Sequence, residues 1–436
     1  MGHMTQLKHE YRQLMDRLDH TAVAMPRPED ERALRGWREL LEVMYTPNEA
    51  ALASRMPMIP TPLGRLAKRY GMAEEELQRE LEPLCEKGLV MDLVSPKTGK
   101  RKYLLAPPVV GFFEFSMMRA HDMFDKLSIA KAMDAYMHGD DTFAKEVFAN
   151  DTVVGRAMVH EDMLAADVPE VLDWERTTAL IDGAEQIAVS HCYCRHKAEH
   201  LGKACDTPQE ICLSLNAGAD FVIRRAFGRQ IDKDQAMSIV SDARKRGLVQ
   251  IADNVKDEPA YVCNCCACCC GQLSAINDFG LHAVNPSGFE PQHHPDDCKG
   301  CSRCSRACPV AAIAMAPQRA DGQRKNELQP VFDSELCIGC GVCATSCKQH
   351  AITMERRAQP SHVPKNTVER VVRQMLEHGR LADLLFDESD SRSAAFLNHA
   401  LRAITRLPPA ERALASKQVQ SRFVDFVVKN APSVEA

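Results

Sequence analysis

One cysteine spacing, used twice, constrains this 436-residue chain more than anything else in it. "CKGCSRCSRACP" sets Cys298, Cys301, Cys304 and Cys308 in a C-x2-C-x2-C-x3-C-P run. "CIGCGVCATSC" repeats that run with Cys337, Cys340, Cys343 and Cys347. Three thiolates two residues apart can wrap three corners of a small metal cluster. The fourth, set further on, returns to the same cluster less easily and serves the neighbouring one. That crossing ties two halves into one small module. Zinc takes four ligands, so a duplicated set of eight is poorly explained by it.

The segment 291–358 resembles a bacterial-type two-cluster ferredoxin. The resemblance implies two [4Fe–4S] clusters. Cys298, Cys301, Cys304 and Cys347 would hold one, and Cys337, Cys340, Cys343 and Cys308 the other. The sequence departs from the pattern at Lys348, where a second proline often stands, and in a long polar insert from Met315 to Asp333. Neither departure touches a ligand.

Ten further cysteines lie upstream. "HCYCRHKAEHLGKAC" carries Cys192, Cys194 and Cys205, and Cys212 follows. "YVCNCCACCCGQ" carries Cys263, Cys265, Cys266, Cys268, Cys269 and Cys270. Core packing does not explain six cysteines in eight positions, because buried cysteines scatter through a core. Each group follows an expected strand, so the two could meet at a sheet edge. Neighbouring cysteines point in different directions, so such a run suits two clusters, or one cluster plus packing. One or two further [4Fe–4S] clusters are expected here, and a non-cubane cluster is possible. Zinc-bound or free thiols are the alternative. Four cubanes would bring about 16 iron atoms, and a single middle cluster about 12.

The rest of the chain reads as ordinary globular material, 45% hydrophobic and 26% charged. Its N-terminus has no apolar core of a secretory signal, and no run is long enough to span a membrane. A cytoplasmic location is expected, where clustered thiols more often bind metal than form disulfides. The net charge of −6 gives no reason to expect nucleic acid or an anionic membrane.

The expected fold class is α+β and multidomain. A helical arm spans 1–28, and a winged-helix-like domain 29–111. A mixed α/β, cysteine-rich domain spans 112–290, the ferredoxin module 291–358 and a helical tail 359–436. Within 29–111, helix, turn, helix and hairpin follow in order. The second helix, "AEEELQRELEPLCEK", carries six glutamates, and Pro83 should distort it. Basic residues gather instead in the wing, at Lys97, Lys100, Arg101 and Lys102. The capping box Thr207-Pro208-Gln209-Glu210 predicts a helix carrying Cys212. Asp232 to Gln235 predicts another, ending at Gly247. "NPSGFEPQHHPDD" reads as a linker with exposed His293 and His294.

His191, His196 and His200 flank the first cysteines and read as solvated or hydrogen-bonded structural histidines. Arg195 could stabilise cluster charge or hold an anion, though surface arginines are common. Cys85, Met117 and Met118 read as core. No phosphate-binding glycine loop is found, and flavin stays open for want of a short motif. The whole arrangement resembles multi-cluster ferredoxin-type proteins of anaerobes. Three functions compete. The first is an electron-transfer protein or subunit with a redox partner. The second is a reductase with a small-substrate site at the middle cluster. The third is a redox-sensing DNA-binding regulator, which the acidic helix disfavours. The tail could support a homo-oligomer.

Overall fold

A computed structural model describes residues 8–95, 98–120, 123–165, 168, 170–317, 328–380 and 383. The expected tail beyond 383, Lys97 in the wing and the centre of the ferredoxin insert lie outside those residues. The chain forms two compact units. The first comprises described residues of Met1–Thr152, Arg224–Phe227 and the chain from Thr367 on. The second comprises those of Val153–Ile223 and Gly228–Asn366.

In the first unit, α1 (His9–Leu18), α2 (Glu31–Met44) and α3 (Pro47–Ala53) precede a small sheet. The capping box of Thr46 and Glu49, with Pro47 at the first turn, starts α3 directly after α2. Strand β1 (Thr61–Pro62), helices α4 (Leu63–Tyr70) and α5 (Glu74–Lys87), and strands β2 (Val90–Val94) and β3 (Arg101–Leu105) follow. The strands pair in the order β1-β3-β2. Leu77, Leu81, Leu84 and Cys85 give α5 its buried face. Pro83 lies inside α5, which runs on through it; the side chain is exposed, away from that face. Helices α6 (Phe113–Met117), α7 (Lys126–His138) and α8 (Thr142–Phe148) complete this part. Met117 and Met118 are buried, as expected.

In the second unit, β4 (Gly155–Ala157), α9 (Thr177–Gly183), β5 (Ile187–His191) and α10 (Tyr193–His200) come first. Then follow β6 (Glu210–Leu215), α11 (Asn216–Arg224) and β7 (Arg229–Gln230). Next are α12 (Lys233–Lys245), β8 (Val249–Asp253), β9 (Tyr261–Cys265) and α13 (Gly271–Phe279). The strands form one antiparallel sheet in the order β4-β8-β9-β6-β5-β7. Val189, Leu213, Leu215 and Val262 on the sheet pack against Leu180 and Ile181 of α9 and Ala236 and Val240 of α12.

The helix expected to carry Cys212 is instead strand β6. Its odd residues Leu213 and Leu215 enter the core, and Cys212 and Ser214 alternate with them. This two-residue period, with β5 and β9 bonded on either side, outweighs the local capping signal. The capping box at Asp232 does start α12.

Strand β10 (Phe289–His293) replaces the expected linker and pairs with β13 (Ile352–Arg356). Between them lie α14 (Arg303–Ala307), β11 (Ile313–Pro317), β12 (Leu328–Phe332) and α15 (Val342–Thr345), with β11 and β12 paired. His293 and His294 are half-buried rather than exposed, and His294 Nε2 lies 2.9 Å from Thr353 Oγ1. Helix α16 (Thr367–Glu377) belongs to the first unit, where Gln374 donates to the Thr152 carbonyl. No described helix is long and apolar enough to cross a membrane.

Candidate metal centres

The two repeated cysteine runs adopt one backbone shape twice. Gly300 and Ser302 have φ of 62° and 60°, and the equivalent Gly339 and Gly341 have 68° and 80°. Each left-handed pair turns its loop so that successive cysteines face inward. Glycine is demanded most at 339, where an added Cβ would lie 2.2 Å from the Phe289 carbonyl oxygen.

The eight thiols line two cavities. One is bordered by Cys298, Cys301, Cys304 and Cys347. The other is bordered by Cys308, Cys337, Cys340 and Cys343. Each cavity thus takes three cysteines from one run and one from the other, the grouping that crossed ligation requires. Cys301 is exposed, whereas Cys340 and Cys343 are buried. Burial pushes the Cys340 thiol up to about 12, so an apo form would hold it protonated, and a bound cation would be needed to ionise it.

His160, which the sequence did not single out, lies against the second cavity. Its backbone N–H donates to the Cys340 carbonyl at 3.0 Å. Its Nε2–H donates to the Leu248 carbonyl at 3.0 Å, and Thr345 Oγ1 lies 2.8 Å from Nδ1. Burial lowers its pKa to about 4, so it stays neutral. Only a long-range fold could have revealed it.

The ten upstream cysteines separate into six and four. Cys263 and Cys265 project from one face of β9, and Cys212 from the adjacent β6, with its Sγ 4.0 Å from that of Cys263. Cys192 is the N-cap of α10, and Cys194 lies in that helix's first turn. Cys270 is the N-cap of α13. Cys192 and Cys194, Cys194 and Cys270, Cys270 and Cys265, and Cys265 and Cys263 lie close enough to shift each other's thiols, as do Cys263 and Cys212. Cys212 in turn feels Cys192, which closes a ring of six. The hydrogen bonds from Cys212 and Cys265 pull Cys263 down to about 5.

Cys205, Cys266, Cys268 and Cys269 form the other set, with all four sulfurs within 4.8 Å of one another. Arg195 stands between the sets. It is 0% exposed, a buried residue rather than a surface one. Its Nη2 donates to Cys266 Sγ at 3.3 Å and its Nη1 to the Pro208 carbonyl at 3.0 Å, and its charge also faces Cys192. Hydrogen bonding from Cys269, with Arg195 adding to it, lowers Cys266 to about 4. His196 is buried, with Nε2 3.2 Å from His200 Nε2. His191 stacks edge-on against it at 5.2 Å between centroids. Cys85 lies apart from all these sets, buried on α5.

Residues 297–351 match the family model of the 4Fe-4S dicluster domain. This segment is a ferredoxin-like iron–sulfur module. No curated protein and no solved structure matches the chain. The dicluster domain includes both cysteine runs, all eight cysteines of the two cavities and the paired strands β11 and β12.

Proposed function

We propose that the chain is an iron–sulfur electron-transfer protein or subunit that serves a redox partner. The observation that carries this reading is the pair of four-thiol cavities in the dicluster domain, the first with Cys301 exposed at its edge. When bound, two [4Fe–4S] clusters supply one-electron chemistry there. The first cavity is suited to docking, since exposed Lys299, Arg303, Arg306 and Lys348 surround it in sequence, against Asp296 and Asp297. The six-thiol ring would hold a third cluster. The site is taken to work in the cytoplasm.

The ring also supports a second reading. Six thiols exceed the four that a cubane uses. Two would remain to meet a small substrate, which is the reductase function. Reductive titration of the anaerobic protein with EPR separates the readings. A carrier should show cluster signals indifferent to small molecules. A ligand that shifts only the ring's signal would move the assignment to a reductase. Clusters that no low-potential donor can reduce would refute both.

We read α4, α5 and the β2–β3 hairpin as a winged-helix-like module used for protein docking or as a cap. The exposed face of α5 carries Glu74, Glu75, Glu76, Glu80 and Glu86 against Arg79. Phosphate binding needs the opposite sign. The full chain should therefore show no salt-sensitive binding to duplex DNA, and submicromolar binding weakened by salt would restore the regulator reading.

A further inference from the structure

We propose that Cys205, Cys266, Cys268 and Cys269 hold a single zinc ion, in a closed tetrathiolate site separate from the iron–sulfur clusters. The geometry distinguishes one ion from a cluster. Zinc–sulfur bonds of about 2.3 Å in a tetrahedron place the sulfurs about 3.8 Å apart. Here Cys205 Sγ lies 3.6 Å from Cys266 Sγ, and Cys268 Sγ 3.6 Å from Cys269 Sγ. All four fall within 4.8 Å of each other. A cubane puts each thiolate on a different iron and so holds its ligands wider apart. The dicluster domain behaves that way. Its thiols stand around open cavities, and among the described residues only the Cys205 set gathers so closely.

The backbone explains the convergence. Just past β9, the Cys269 and Cys270 N–H groups both donate to the Cys266 carbonyl, at 3.4 and 3.1 Å. This turn brings Cys266, Cys268 and Cys269 to one side. Cys205 reaches them from the loop that follows α10. Four thiolates around Zn²⁺ carry a net charge of −2, and Arg195 sits against Cys266 and Cys205 to offset part of it. Four protein ligands leave no open position, which is the mark of a structural zinc site. Its place suits that role. It fastens the loop after α10 to the turn before α13, and those two helices present Cys192, Cys194 and Cys270 to the six-thiol ring.

The site stands whether or not the chain carries electrons. It lowers the expected iron content from about 16 atoms to about 12, with one zinc beside them. The test is metal analysis by mass spectrometry on the anaerobically isolated full chain and two variants, with far-UV circular dichroism as a check on folding. Wild type should contain one zinc. Cys268→Ala, at the exposed member of the set, should lose the zinc and keep its iron. Cys212→Ala, in the six-thiol ring, should keep the zinc. Loss of about four irons from Cys268→Ala with no change in zinc would overturn the proposal. So would wild-type protein that holds one extra iron in place of zinc, or no zinc when zinc is supplied. If Cys268→Ala fails to fold, release of zinc from wild type by a chelator with iron retained gives the same discrimination, and iron lost in step with zinc refutes it.

Discussion

Replacing Cys308 by alanine probes how the dicluster domain shares its ligands. Cys308 belongs by sequence to the run containing Cys301, but it borders the cavity of Cys337, Cys340 and Cys343. Its electrostatic neighbours agree, since Cys340 and Cys343 each feel both Cys337 and Cys308. Two cubanes give the domain about eight irons. Cys308→Ala should remove about four of them, and Cys340→Ala the same four. The double variant Cys308→Ala, Cys340→Ala should then lose no more than either single one. Cys308→Ala with Cys301→Ala should lose all eight. Effects on a shared unit are non-additive, and effects on separate units add.

Iron and sulfide are counted after anaerobic desalting, with EPR of the reduced protein to identify the surviving signal. The surviving cluster should also respond differently to air. Cys301→Ala leaves the cluster whose ligands include the buried Cys340 and Cys343, which should bleach slowly. Cys340→Ala leaves the one that reaches solvent at Cys301, which should bleach faster. The reverse pattern, with eight irons lost from the Cys308–Cys340 pair and four from the Cys308–Cys301 pair, would refute crossed ligation. In all these variants the upstream metal content should be unchanged.

Three further substitutions test the frame around the sites. Asp92 is fully buried, paired with Arg225 at 2.7 and 3.0 Å and with Arg224 at 3.0 Å. Asp92→Asn leaves those arginines short of their carboxylate and should cost about 3–5 kcal/mol in denaturation of the first unit, with metal content unchanged. Burial alone would raise this carboxyl, but hydrogen bonds and charge from Arg225, with Arg224 and Arg101, hold it below its ordinary value. A lowered folded pKa adds stability above the unfolded value, and that stability is lost as pH falls through the folded one. The gap between Asp92→Asn and wild type should therefore close below about pH 4, and a constant gap would contradict the assignment. Gly339→Ala meets both a left-handed φ and the Phe289 carbonyl, so it should cost about four irons. Gly71→Ala has the same φ of 68° and open space around it, so it should cost only about 1–2 kcal/mol and no metal.

The dicluster domain was legible in the sequence because its geometry is local. Two cysteines three residues apart, with a glycine or serine to turn between them, nearly define the loop. Strand β6 was not legible, because the capping box at Thr207 is local and the strand's partners are not. β5 and β9 lie far off in sequence, and only their ladders and the shared core decide the outcome. The same reason hid β10, whose partner β13 follows the second cysteine run, and His160, whose contacts lie just before β8 and on α15. Arg195 looked like a surface residue because a charge beside a polar helix usually is one. Its burial follows from thiols that arrive from another strand.

The crowding of residues 263–270 has a simple structural origin, and it makes one sharp prediction. Cys263 and Cys265 sit two apart on a strand and therefore share a face, which is the face that Cys212 joins. The strand ends at Cys265, so Cys266 escapes that alternation and enters a turn with Cys268 and Cys269. Cys270 ends the turn as the N-cap of α13. Adjacent residues Cys265 and Cys266 thus fall in different thiol sets. Cys265→Ala should leave zinc in place, and Cys266→Ala should remove the zinc and leave the iron. If both variants lose the same metal, the ten thiols serve a single centre and the division into six and four is wrong. If they separate, eight crowded positions are explained by one strand, one turn and one cap, each holding its cysteines for a different geometric reason.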